Sequence, residues 1–341
     1  MENFEYKYLK YKNQYYSLKN QQQTGGNTQL LPVRDDGNGD PSVKKHLLLL
    51  EVLDFDGANK QNFDIVRNIY DKSALIRIAN EPGSTDMKKN IIGMEQMYTA
   101  VPNIRVVKHS IQFGSGDWTA VELIMVGTFT GTYDMDGISC QPTGNTFEMR
   151  SCSLLRWKNN KIAEENIFWD NHHFLEQMGI PNNSCTITTV PTKYTLAEKV
   201  GFTSFGRGDE TDPLVRRRLI LFENFNYNGY NKRNWDLIPE LYDKNVFLIF
   251  QSGSQLTGID EITKQMTGGI KDDKVISIPI HFGSGDWTVA TMLMTGTLES
   301  GTPWAMEHCA LMKWQGDKIV EAHAYWDNGE FNKQTGIVLN L

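Results

Sequence analysis

Two short segments of the sequence combine carboxylates, an imidazole and aromatic side chains in a pattern that could support acid–base chemistry. Both segments end in Trp-Asp-Asn, at 169–171 and at 326–328. Because side chains alternate between the two faces of a β-strand, every second residue shares a face. The faces that carry the two aspartates are Glu164, Asn166, Phe168 and Asp170 in the first segment, and Glu321, His323, Tyr325 and Asp327 in the second. Such a face is typical of a polar-ended pocket, so we expect these residues to line one.

The strand that precedes each segment adds a second candidate group. Ser151 in the first copy corresponds to His308 in the second, and Trp304 shares the face of His308. His308 and Asp327 could form a general base and the carboxylate that orients it. Two other interpretations remain open. His308 could be a purely structural histidine, and Asp170 and Asp327 could cap the helices that follow them, because Asp-Asn at a strand-to-helix junction suits an N-cap.

The sequence gives little support for metal or cofactor chemistry. His172 and His173 are adjacent, so on a helix they project to different sides, and the second copy has Gly-Glu at these positions. The four cysteines have neither a Cys-x-x-Cys pair nor metal-ligand spacing. We therefore expect no metal and no cofactor, and we expect Cys152 and Cys309, at equivalent strand positions, to be buried thiols.

The chain is a tandem duplication of one unit. The heptapeptide Phe-Gly-Ser-Gly-Asp-Trp-Thr occurs at 113–119 and again at 282–288, which is 169 residues later. The Trp-Asp-Asn motifs are separated by only 157 residues, so the first copy carries about 12 extra residues between these motifs. Within each copy, helical patterns precede strand patterns, and Gly-Ser-Gly-Asp suits a hairpin turn. The sequence thus predicts an α+β fold used twice.

The duplication and the composition of the flanking segments predict five parts. They are a Tyr/Lys-rich helical arm at 1–23, a flexible linker at 24–44, a first domain at 45–181, a connector at 182–213 and a second domain at 214–341.

The arm has its own pattern. Phe4, Tyr8, Tyr11, Tyr15 and Leu18 fall on one stripe of a helix, with four lysines around it. The stripe could bind a protein partner, and a solvated, partly helical tail is the alternative. The Tyr- and Lys-rich segment 6–13 also resembles a leader found on many proteins of giant DNA viruses.

The composition indicates which partners and which cellular compartment to expect for the protein. The 341 residues include 34 Lys and Arg against 41 Asp and Glu, a net charge of −7, which argues against a general nucleic-acid binder. No run of 18 apolar residues exists and the N-terminus lacks an apolar signal region, so we expect neither membrane insertion nor secretion. The cysteine pattern suits a reduced, intracellular (cytoplasmic) protein, which would be virion-associated if it is viral.

Several separated motifs, taken in order, resemble the SnoaL-like polyketide cyclase or ester cyclase group of the nuclear transport factor 2-like superfamily. They lie at 113–120, 127–131, 142–144, 156–165, 168–171 and 177–180. The resemblance implies two tandem cone-shaped α+β barrels, each a bent antiparallel sheet around helices with a pocket at its wide end. It also implies an intramolecular pseudo-dimer, because members of this superfamily usually pair as homodimers across their sheets.

The resemblance implies a catalytic role for particular residues. In these cyclases an Asp near the pocket acts as general acid and base in an intramolecular aldol closure, and a His can assist. The Trp-Asp-Asn motifs make Asp170 and Asp327 the best candidates, with His308 and His323 beside them. Whether the preceding face residues, Asn166 and His323, hold the catalytic position instead is left open.

Two functions follow as hypotheses. One is a duplicated protein whose pocket takes a small, largely apolar ligand and performs cyclase-type acid–base chemistry. The other is a non-catalytic ligand-binding or structural scaffold of the same fold. In either case the pocket would include Asn166, Phe168, Ser151, Tyr325 and Trp304.

Overall fold

The chain folds into two sheet-dominated α+β domains, as the duplication predicts. The computed structural model describes residues 33–35, 39–78, 83–135, 138–180, 185–187, 211–268 and 272–336. The predicted arm at 1–23 and most of both linkers lie outside these residues, so the predicted docking role of the arm stays a prediction. No helix in the described ranges combines the length and the apolar character needed to cross a bilayer.

In the first domain, helices pack against a six-stranded sheet. Its helices are α1 (Pro41–Glu51), a π-helical segment (Val52–Ala58), α2 (Phe63–Ile69), α3 (Met87–Ala100) and α4 (Asn171–Gln177). Its strands are β1 (Val33–Asp35), β2 (Tyr70–Ile78), β3 (Arg105–Ser115), β4 (Trp118–Thr128), β5 (Tyr133–Met135), β6 (Ile138–Cys140), β7 (Thr146–Lys158), β8 (Lys161–Phe168) and β9 (Cys185–Ile187). The main sheet has the order β1-β3-β4-β7-β8-β2, while β5, β6 and β9 form a separate small sheet.

The second domain repeats this plan. Its helices are α5 (Pro213–Asn224), a π-helical segment (Phe225–Tyr230), a 3₁₀ turn (Trp235–Leu237), α6 (Ile238–Leu241), α7 (Ile259–Thr267) and α8 (Asn328–Thr335). Its strands are β10 (Tyr242–Phe250), β11 (Gln255–Thr257), β12 (Lys274–Ser277), β13 (His281–Ser284), β14 (Trp287–Thr297), β15 (Pro303–Gln315) and β16 (Lys318–Trp326). The sheet order is β11-β10-β16-β15-β14-β12, and β13 also pairs with β14.

Neither sheet closes on itself within the described residues, so the predicted barrels are open sheets. The path of the first sheet ends at β1 and β2, and that of the second ends at β11 and β12. The space that a closed barrel would enclose is instead filled by helices, whose apolar side chains pack against one face of the sheet. The predicted α+β class, with a sheet and helices in each of two tandem domains, is confirmed, and each sheet is open.

Both domains begin with the same local structure. Asp40 and Asp212 cap helices α1 and α5 by accepting hydrogen bonds from first-turn N–H groups. Pro41 and Pro213 occupy the first helical position, where the missing N–H has no helical partner to lose. Each helix then passes directly into a π-helical segment. The duplication therefore extends from the sequence to the backbone.

Each sheet buries both of its faces. One face packs against the helices of its own domain. The other face contributes to a third apolar cluster that both domains build together. The members of this cluster include Phe113, Trp118, Cys152, Leu154 and Phe168 from the first domain, and Phe282, Trp287, Cys309, Leu311 and Tyr325 from the second.

The cysteines divide between two environments. Cys152 and Cys309 are free, buried thiols as predicted, and their Sγ atoms lie 3.8 Å apart in the shared cluster. Cys140 is disulfide-bonded, and in the backbone ladder it lies opposite Cys185. The expected reduced state therefore does not hold for Cys140, which lies outside the repeated motifs.

Each domain has one asparagine, at an equivalent position, that links the helical layer to the sheet by hydrogen bonds. Asn59 donates to the carbonyl oxygen of Val106 at 2.8 Å and accepts from its N–H at 2.7 Å. Asn231 makes the same two contacts with Val275, at 2.7 and 2.8 Å. Each side chain thus satisfies one donor and one acceptor of a strand.

We expect Asn59→Ala and Asn231→Ala each to lower the free energy of unfolding by about 2 kcal/mol, because each change removes two hydrogen bonds. Urea denaturation of the full chain measures this loss. The matched control is Asn68→Ala, at an exposed position of α2, which should change stability by less than about 0.5 kcal/mol. Equal stability of all three variants would contradict the assigned contacts.

Candidate functional site

The second domain contains a cavity of about 260 Å³ between its helical layer and its sheet. The wall is mostly apolar and includes Met292, Met294, Met312, Trp304 and Trp326. Flexible methionines and large aromatic rings adapt to ligands of varied shape. A cavity with this lining suits a small, apolar molecule.

Strand β16 presents to the cavity the face opposite to the one that the sequence predicted. Ala322, Ala324 and Trp326 line the cavity. Tyr325 and His323 alternate to the other side, where they contact the first domain. They are not among the residues that line this cavity. The alternation itself was correct, but a period of two cannot tell which face is covered by helices and which by another domain.

His308 and Trp304, by contrast, do line the cavity. The His308 ring lies edge-on to Trp326, with the ring centroids 5.9 Å apart. Burial lowers its pKa to about 4, so the ring is neutral at pH 7. Its Nδ1 is buried and has no hydrogen-bond partner among the described residues. A neutral imidazole with an unused nitrogen can bind a polar group of a ligand.

The predicted pair of His308 and Asp327 does not form in the described structure. Asp327 caps helix α8 through the N–H groups of Gly329 and Glu330, at 2.9 and 3.3 Å. Its carboxylate also accepts from the backbone N–H and the side-chain amide of Asn171, at 3.2 and 3.0 Å. The contacts of Asp327 are therefore those of a helix N-cap.

Asp170 makes the mirror-image set of contacts. It caps α4 through the N–H groups of His172 and His173, and it accepts from the N–H and side-chain amide of Asn328 at 3.2 and 3.1 Å. Burial and the nearby charge of Asp170 raise the pKa of Asp327 to about 6. The two Asp-Asn motifs therefore bind each other across the domains.

Cavity residues also include one compensated carboxylate. Asp273 accepts hydrogen bonds from the Tyr230 hydroxyl and from Arg233 Nη2, the latter at 2.5 Å. Burial raises the pKa of Tyr230 well above its usual range, and the Asp273 charge adds to this effect. Since Arg233 neutralises it, Asp273 adds little net charge to the cavity.

The predicted pocket residues of the first domain also lie on two different faces of their sheet. Ser151 lies at the position that corresponds to His308, because each is paired with an equivalent residue of the preceding strand. Asn166 accepts from Arg77 Nη1 at 3.3 Å on the opposite face of the sheet. Phe168 belongs to the cluster shared by both domains. Asn166 and Phe168 therefore lie on the sheet face that contacts the second domain, as Tyr325 does on its side, and their pocket roles stay predictions.

Glu122 is the centre of a polar network between the domains that sequence reasoning missed. It is fully buried on β4 and accepts from the hydroxyl of Tyr325. It also pairs with His323 Nδ1 at 2.6 Å and with Arg150 Nη1 at 2.8 Å. The sequence does contain one sign of this network, a glutamate in the middle of the mostly apolar segment 118–126. A buried charge requires partners, so this glutamate indicates a polar contact.

The charges in this network support one another. Burial opposes ionisation of Glu122, but the hydrogen bond and charge of His323, followed by the charge of Arg150, outweigh it and lower the pKa of Glu122 to about 2. Burial also opposes the proton on His323, yet hydrogen bonds to Glu122 and Glu321 raise its pKa above 6.5. The network therefore favours a carboxylate and an imidazolium in contact.

Family models match both halves of the chain. A model of the SnoaL-like polyketide cyclases matches residues 50–178, and a model of the SnoaL-like domain matches residues 223–322. The chain thus belongs to the SnoaL-like group as a tandem of two such domains. No curated protein matches it.

Several solved structures are similar to part of this chain. IdmH of Streptomyces antibioticus is 21% identical, with a TM-score of 0.34, over 39% of this chain and 98% of its own. An NTF2-like protein of Burkholderia pseudomallei is 12% identical, with a TM-score of 0.32, over 36% and 98%. A protein of Catenulispora acidiphila with a ketosteroid isomerase-like fold is 17% identical, with a TM-score of 0.31, over 34% and 92%.

We expect Asp327→Ala to lower the free energy of unfolding by about 2–3 kcal/mol, because it removes a helix cap and two hydrogen bonds to the other domain. Urea denaturation measures the loss. Asp317→Ala, at a more exposed aspartate that pairs with Arg217, is the control and should cost less than about 1 kcal/mol. Unchanged stability of Asp327→Ala would instead favour a role for this carboxylate in chemistry.

Proposed function

We propose that the second domain binds a small, largely apolar and uncharged ligand in the cavity beside His308. The observation that carries this proposal is the apolar cavity with one buried, unpartnered imidazole nitrogen among the described residues. Its volume of about 260 Å³ is at or just below the usual lower limit for ligand pockets, about 300 Å³. The ligand is accordingly small.

Several features favour binding over acid–base chemistry in this cavity. A histidine with a pKa of about 4 is a weak base near neutral pH. The carboxylate of Asp273 is already occupied by Arg233 and Tyr230. The predicted catalytic residue Asp327 holds a helix and the other domain instead. These contacts support the non-catalytic hypothesis for the second domain.

We expect Ala310→Leu to weaken binding of fluorobenzene at least tenfold, because the added carbons occupy the cavity that Ala310 lines. ¹⁹F NMR titration of the full chain measures the affinity. The matched control is Ala305→Leu, which makes the same change on the opposite face of β15 and should leave the affinity within a factor of two. Equal weakening by both variants, or no binding to the unaltered chain, would contradict the proposal.

We further propose that the two domains pair across their sheets as an intramolecular pseudo-dimer. Its support is the reciprocal contact of the two Asp-Asn motifs and the apolar cluster to which both sheets contribute. Arg77 Nη2 and Glu307 Oε1 add an ion pair of 2.7 Å, with side chains 3% and 1% exposed. The two cavity sides then face away from the shared surface.

The pairing should depend on pH through His323. Because its pKa is raised in the folded chain, its stabilising contribution is complete below pH 6.5 and is lost as the pH rises through the raised value. Glu122 contributes above pH 4.5, and its share is lost as the pH falls towards 2. Denaturation across this range should therefore give a stability that falls on both sides.

The loss of stability at alkaline pH gives the sharper test of the His323 contact. We expect His323→Gln to flatten the decline in unfolding free energy above pH 6.5, while His172→Gln, at a half-buried histidine on α4, keeps it. An unaltered alkaline decline in His323→Gln would contradict the contact between His323 and Glu122.

A further inference from the structure

The apolar cluster to which both sheets contribute contains two thiols that contact each other. Cys152 lies on β7 of the first domain and Cys309 on β15 of the second, and both residues are 0% exposed. Both are free cysteines. Cys309 donates a weak hydrogen bond to the sulfur of Cys152, with the two Sγ atoms 3.8 Å apart. The contact lies away from the cavity beside His308, on the opposite side of the sheet.

The contact follows from the duplication. Cys152 and Cys309 are 157 residues apart, as are the two Trp-Asp-Asn motifs, so they occupy the same position in the repeated unit. A residue that contacts its own counterpart lies close to the axis that relates the two copies. Phe113 and Phe282, which are counterparts in the repeated heptapeptide, also meet, with ring centroids 5.9 Å apart. The thiols therefore lie near the centre of the shared surface.

The distance between the sulfur atoms is short enough for a bond to form after a small movement. A disulfide holds its two sulfur atoms about 2.05 Å apart, so each Sγ needs to move by only about 1 Å. A modest rotation about the Cα–Cβ bond moves Sγ by this much and leaves the strand in place. The two sheets can therefore keep their positions when the thiols become linked.

Burial decides which oxidants can react with this pair. Burial, followed by the contact with Cys309 and the charge of Glu122, raises the pKa of the Cys152 thiol well above its ordinary value. The uncharged thiol is therefore the resting form, and its oxidation is slow. A large disulfide reagent cannot reach a side chain that is 0% exposed. Hydrogen peroxide is small and uncharged, so it is the class of oxidant that suits this site.

We propose that Cys152 and Cys309 are a modification site at which a peroxide links the two domains through a disulfide, an inference that rests on the domain pairing proposed above. One thiol attacks the O–O bond of the peroxide, which gives a sulfenic acid and one water molecule. The second thiol then attacks this sulfur, forms the S–S bond and releases a second water molecule. The two thiols are oxidised by two electrons in total, and the peroxide is reduced.

The surroundings make the link between the domains the expected product. Cys140 is already disulfide-bonded and belongs to a different apolar cluster. The thiol of Cys309, by contrast, is in direct contact with Cys152. A sulfenic acid formed at either position is therefore converted to the disulfide by the thiol beside it, before further oxidation.

The disulfide changes how the two domains are held together. In the reduced chain the shared surface depends on non-covalent contacts, such as that of Glu122 with His323. A cross-link between residues 152 and 309 closes a long segment of the chain, which lowers the entropy of the unfolded state. The oxidised chain is therefore more stable, and its domains stay linked when the charged contacts are lost.

The test treats the full chain with hydrogen peroxide and identifies the products by mass spectrometry of an unreduced digest. We expect a peptide pair linked through residues 152 and 309 that is absent before treatment. We also expect the urea midpoint of unfolding to rise by about 1 M. Cys152→Ala, treated in the same way, is the matched control, because it keeps the disulfide of Cys140 and every methionine but cannot form the link. Cys309→Ala is the reciprocal control.

Absence of the linked peptides after treatment would overturn the inference, as would a sulfinic acid at one cysteine with the other thiol still free. An equal rise of the urea midpoint in Cys152→Ala would also overturn it. Calorimetry of the untreated chain separates this failure from a failure of the pairing. One transition without a link contradicts only the disulfide, whereas two transitions without a link contradict the pairing as well.

Discussion

The proposed pairing of the two domains depends on charged side chains that are buried between their sheets. Glu122 is fully buried, and its charge is stabilised by His323 of the other domain together with Arg150 of its own. Arg77 and Glu307 are a second buried pair of opposite charge. Exposing half of such a pair to an apolar environment costs several kcal/mol, so neither sheet face is suited to be buried against a partner without its complement.

This constraint decides where ligands can bind. In the proposed pairing, the two sheet faces that carry the shared apolar cluster cover each other, which leaves the helix-facing sides for a pocket. These sides have diverged since the duplication: the second domain lines its cavity with alanine, methionine and tryptophan, and the first places Glu165 and two serines at matching positions. The shared surface has diverged too, since Glu122 corresponds to a threonine in the second copy, at 291. Such asymmetry suits pairing of unlike domains.

Much of the fold could be predicted from the sequence, because a repeated heptapeptide and ordered motifs are direct signs of duplication and family. The site was predicted less well. The alternation along β16 separated Ala324 from Tyr325 correctly, but both faces are buried, so hydrophobicity could not identify the cavity side. Asp170 and Asp327 showed the composition of an acid–base site, although their contacts are those of helix caps. Two partners of Glu122, His323 and Tyr325, are about 200 residues away, where no local pattern could reveal them.

The most direct test of the buried, shared surface is differential scanning calorimetry of the full chain. If the two domains stabilise each other through this surface, they unfold together. We predict a single transition whose calorimetric and van't Hoff enthalpies agree. Two separate transitions, each with the enthalpy expected for one domain of about 130 residues, would contradict the account.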